Sequence, residues 1–296
     1  MNRHLIAGVC ALALAACGGS DNPTGNTAAS ASFTYGAPSA ATAAQTGALE
    51  ASVADSTTFA AAPGADAGLA LSDPSIVTAA LLGASGFGVG ATFSAPAVPA
   101  APLRALVAPG DGARTLASTT FDNPACVTAT ATGVTLANCT LTVDQVSGGD
   151  TYHVVVTASG SVSYAVASST LTWDLRVVES VTITGTTSGT VAASFHLAGS
   201  LAVTDTTIVG HMASELLVSA SVAGQTMRVG VDESVDVDVT YADPVTCANR
   251  VVSGTVEAKR VWTARPQGAT PADLPDIAAK VTWTGCGTGM IQVGTR

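Results

Sequence analysis

The sequence predicts a mainly β protein: an antiparallel meander of long strands, forming a curved sheet, half-barrel or sandwich, with one or two short helices. Two observations carry this expectation. From about Phe121 onward, apolar side chains recur at every second position, the period of a strand with one dry face. The breaks in that pattern fall at short clusters of Gly, Ser, Asp and Thr, the composition of turns between adjacent strands.

The first sixteen residues stand outside that fold. Arg3 lies in a short positive start, and an apolar run from Leu5 to Ala16 follows, too short to span a bilayer as a helix. A positive start, a short apolar middle and small residues at the end make residues 1–16 a secretory signal peptide. Its last residues and the next one, Leu14-Ala15-Ala16-Cys17, resemble the lipobox of bacterial lipoprotein precursors. The resemblance implies that a diacylglycerol is joined to the Cys17 sulfur and that cleavage precedes Cys17. It also implies that Gly18, where an aspartate would favour inner-membrane retention, directs the protein to the outer membrane. The partner expected on this ground is the membrane, through the lipid on Cys17, with palmitate among its acyl chains. Beyond the lipobox the chain resembles no characterised family.

Residues 17–70 read as the lipidated cysteine followed by a low-complexity tether, because Ala, Gly, Ser, Thr and Pro dominate and offer little apolar surface to bury. Residues 71–120 form an Ala-rich segment with one short helix: Asp73 serves as N-cap, Pro74 takes the first position, and Gly83 follows the end. The "GASGFGVG" just beyond lacks the Lys-Ser/Thr ending of a phosphate loop and reads as a joint.

Residues 121–296 make a disulfide-bonded antiparallel β domain. In "TLTWDLRVVESVTITG" the dry face is Leu171, Trp173, Leu175, Val177, Val181 and Ile183. Val191, Phe195, Leu197, Leu201 and Val203 continue it, then Ile208, Met212, Leu216, Val218 and Val222, then Met227, Val229, Val231, Val235, Val237, Val239 and Tyr241. Turns are expected near Ser168-Ser169, Gly185–Gly189, Asp205-Thr206 and Ala223-Gly224-Gln225, which leaves strands of about fifteen residues. Strands that long call for bends, with Gly160, Gly199 and Gly210 as candidates. A second short helix is expected in "TPADLPDIAAK".

The cysteines of this domain fit an oxidising compartment. A two-residue turn at Thr132-Gly133 places Cys126 opposite Cys139, within disulfide reach, which leaves Cys247 to pair with Cys286. No pair has the short spacing of a zinc site, so no metal is expected at them.

Composition limits the partners. The charged fraction is 11% and the net charge −10, with Lys only at positions 259 and 280, so the chain lacks the basic clusters that bind nucleic acid. Aromatic residues are 4%, too few for the girdles of a transmembrane barrel. His153, His196 and His211 fall on the polar sides of their strands and read as solvated surface. Asp232, Asp236 and Asp238 share a strand face; their extended spacing suits a solvated, aggregation-resisting face better than a calcium loop. No G-x-S-x-G or H-E-x-x-H motif occurs. The expectation is therefore a lipid-anchored protein of the cell envelope, periplasmic or at the surface, without catalytic residues or a cofactor. It serves a structural or interaction role toward another envelope protein; the alternative is a carrier holding an apolar ligand against the dry sheet face.

Overall fold

In the computed structural model, the structure describes residues 26–43, 46, 121–130, 133–204, 206–241, 247 and 251–296. Cys17, the expected signal peptide and the helix expected between the Asp73 cap and Gly83 lie outside the described residues.

The described residues form one antiparallel sheet of twelve strands. A short helix α1 (Thr27–Ser30) comes first, with the two-residue strands β1 (Thr34–Tyr35) and β2 (Ser39–Ala40). Then come β3 (Val127–Thr130), β4 (Gly133–Ser147), β5 (Asp150–Ala165), β6 (Thr170–Thr184), β7 (Gly189–Val203) and β8 (Thr207–Val222). The sheet continues with β9 (Gln225–Tyr241), β10 (Val251–Ala264), β11 (Ile277–Gly285) and β12 (Thr288–Thr295). From β3 to β12 each strand pairs with the next, and β1 and β2 return from the N-terminal side to cap β12. Among the described residues no pairing joins the β1 edge to the β3 edge, so the sheet is open.

The meander follows from the turns. Gly148-Gly149 and Ala223-Gly224 have positive φ at both central positions, the twist that two-residue hairpins need. Register then runs unbroken from β5 through β9. One set of faces collects Trp173, Leu197, Met212, Val235, Val256 and Val281 in a single buried cluster. Its centre is sealed from solvent: Ile208, Met212, Val235, Val251 and Val281 are 0% exposed.

Two expected bends are not bends. Gly199 and Gly210 lie in unbroken register. Gly199 is small because Trp173 lies over it: a Cβ there would come within 2.5 Å of the indole. Gly160 does mark an irregularity. It has φ +125 and faces the place where β4 slips register between Leu136 and Cys139.

Three further expectations are corrected. The β3–β4 turn lies one residue earlier than Thr132-Gly133, because Thr130 pairs with Gly133. The helix expected in "TPADLPDIAAK" is a single turn over Thr270–Leu274, and Ile277 onward is β11. Pro275 disfavours helical backbone at Leu274 and has no N–H to continue the ladder, so the turn does not propagate. Finally, the stretch expected as tether contributes to the fold, since residues 26–41 lie on the sheet through α1, β1 and β2.

Candidate functional site

The cysteines are bridged as the spacing suggested, by a different route. Cys126–Cys139 and Cys247–Cys286 are both disulfides, with Cα atoms 5.2 and 5.7 Å apart. With the turn shifted, Cys126 is no longer in register with Cys139. A bulge in β4, with Asn138 at φ +52, returns Cys139 to the dry face, and Cys126 reaches it from a short 3-10 turn, Pro124–Cys126. Nothing in the sequence marks Asn138 as a bulge except its tolerance of left-handed backbone.

Most of the described titratable side chains lie on the opposite, outer face, and there each of the three described histidines meets a carboxylate of an adjacent strand. His153 Nδ1 lies 2.6 Å from Asp144, and His211 Nδ1 lies 2.7 Å from Asp236. His196 is held twice, by Asp174 at 2.8 Å and Glu215 at 3.3 Å. The hydrogen bond the imidazole donates to Glu215, and then the one it donates to Asp174, hold the His196 pKa above its ordinary value although burial opposes this. These histidines are paired rather than simply solvated. The pairing was hidden because it depends on register, which a single strand's alternation does not fix.

The acidic run of β9 divides. Asp238 is exposed, and Asp236 is held below the usual carboxylate range by the His211 hydrogen bond. Asp232 is not solvated as expected: it is buried at 4% exposure beneath α1. Thr27 donates to it twice, from its backbone N–H at 2.7 Å and its hydroxyl at 2.5 Å. Burial nevertheless pushes the Asp232 carboxyl up. Asn26 caps α1 by accepting from the Ala29 N–H, while its amide donates to the carbonyls of Ser214 and Glu233. Further along, the Tyr35 hydroxyl donates to Glu257, and burial first, then Glu257, push its pKa up.

The dry face has polar residues of its own. Glu233 accepts from Arg260 Nε at 2.7 Å and from a second guanidinium nitrogen at 2.5 Å, with the two side chains 4% and 14% exposed. Strand periodicity passed over this pair because Glu233 occupies an apolar slot between Val231 and Val235. Glu179 occupies a similar slot on β6, and burial pushes its carboxyl up.

This arrangement sets acids against bases. Among the described residues no cluster of three or more His, Cys, Asp or Glu has the geometry to hold a metal ion. The described hollow near α1 is an open depression lined by Thr27, Ser30, Val261, Thr263 and Arg296, with no nucleophile and general base set together. No protein-family model, no curated protein and no solved structure matches the chain.

Proposed function

We propose that this protein is a lipid-anchored component of the bacterial cell envelope, held through Cys17, with a structural or interaction role and no catalysis. The observation that carries this reading is the sealed centre of the dry face. Met212 and Val235 at 0% exposure behave as a packed core, whereas a carrier of an apolar ligand needs an unfilled trough. Pairing of acids with bases on the outer face supports the same reading, because such groups stabilise register rather than await a substrate. Two disulfides suit an oxidising envelope compartment. The acidic chain gains nothing from anionic headgroups, so attachment falls to the lipid, and two or more acyl chains hold firmly where one holds reversibly. Gly18, directly after Cys17 where an aspartate would favour retention in the inner membrane, supports the outer membrane.

Metabolic labelling with a palmitate analogue tests the anchor. The wild type takes up label and Cys17→Ser does not; equal labelling of both overturns the reading.

A further inference from the structure

The two edges of the sheet are finished differently. At one, β12 is covered by β1 and β2, and Gly36 and Ala41 donate to the Val293 and Gly289 carbonyls. At the other, β3 covers only Gly133 to Leu136 of β4. Asp122 covers the next part: its N–H donates to the Thr140 carbonyl and its carboxylate accepts from Thr142. Beyond Thr142 no described residue pairs with the outer edge of β4. Val143 and Val146 are 44% and 73% exposed there.

The bonds to Asp122 fix which backbone groups point outward. Thr140 and Thr142 face the edge, so by the alternation of a strand Asp144 and Val146 present unpaired N–H and C=O groups, and Val143 and Gln145 bond inward to β5. An unpaired edge of this kind is a template for another strand. The only charged residue on it is Asp144, whose carboxylate is already held by His153, so each of two acidic chains brings a single charge, itself paired, to such a contact.

The geometry points to a second copy of this chain as the occupant, with β4 pairing antiparallel to its counterpart about a two-fold axis at Gln145. That register sets Asp144 opposite the other copy's Val146 and Val146 opposite its Asp144. All four outward N–H groups then find carbonyls. Thr142, beside Asp122, faces Gly148 of the second copy, which has no side chain to collide. A two-fold axis at Asp144 instead opposes two carboxylates and drives Val146 toward the segment at Asp122. The interface is short, well below the size of a permanent dimer, so it forms in a concentration-dependent way.

The axis predicts a specific cross-link. In Gln145→Cys the two thiols face one another as a non-hydrogen-bonded pair, about 4.5 Å apart at Cα, and mild oxidation of the folded protein yields a covalent dimer. Val143→Cys, whose counterpart lies four residues out of register, yields little. Val146→Pro removes an outward N–H without touching the β5 ladder; it keeps the wild-type circular dichroism and at least tenfold weakens the dimerisation seen by sedimentation of the wild type from 1 to 200 µM. Wild-type protein monomeric throughout that range, or equal cross-linking at positions 143 and 145, overturns the proposal.

Discussion

His196 is the residue where pairing and pH meet. Its imidazole is held above the ordinary value by Glu215 and Asp174, so the protonated form is favoured by folding. The stabilisation is therefore complete below the unfolded-state pKa of about 6.5 and is lost as pH rises through the higher folded value. Asp232, whose pKa is raised by burial, changes stability in the same direction, so a substitution is needed to separate the two. Urea denaturation of wild type and His196→Gln should differ by about 0.5 to 1 kcal/mol at pH 5.5 and converge above pH 8. The buried pair Glu233–Arg260 behaves differently. Arg260→Met should cost about 3 to 5 kcal/mol, because it strips Glu233 of its guanidinium, whereas the double change Glu233→Met/Arg260→Met should be close to neutral. A double-mutant cycle in urea checks both. Residue roles of this kind were the least legible part of the sequence: alternation assigns a face, but only register says that His211 meets Asp236 or that Glu233 meets Arg260.

At the scale of elements, the long strands were legible because β6 to β9 each keep period two over most of their length, with breaks only at single slots such as Glu179 and Glu233. The failures have local causes. Pro275 stopped the helix expected in "TPADLPDIAAK", and the one-residue shift of the β3–β4 turn undid a register counted outward from it, which the β4 bulge at Asn138 offsets for Cys139. The N-terminal segment looked like tether because Thr27–Ser30 carries no apolar stripe; it is held instead by Asn26 and Thr27 through polar bonds to β8 and β9. The disulfides act at this scale too. Cys126–Cys139 closes a separation of 13 residues and Cys247–Cys286 one of 39. In the chain-entropy picture they contribute about 3 and about 4 kcal/mol. Paired Cys→Ala variants should therefore lose more stability for Cys247 and Cys286 than for Cys126 and Cys139, by thermal denaturation under non-reducing conditions. The reverse order would place the greater constraint in the β3–β4 hairpin.

For the whole molecule, the proposed anchor at Cys17 and Asn26, the first of the described residues to dock on the sheet, stand nine residues apart, a reach of about 30 Å at full extension. A lipid on Cys17 would therefore hold the sheet close to the membrane rather than at the end of a long tether. What the sheet does there depends on whether its dry face is a core. The direct measurement is titration of the purified, delipidated protein with an apolar fluorescent probe such as 1-N-phenylnaphthylamine. The account predicts no saturable rise in emission at micromolar probe, and none when Met212→Ala is compared with wild type at equal foldedness. Saturable, stoichiometric binding to the wild type, displaced by a fatty acid, would contradict it and make the protein a carrier.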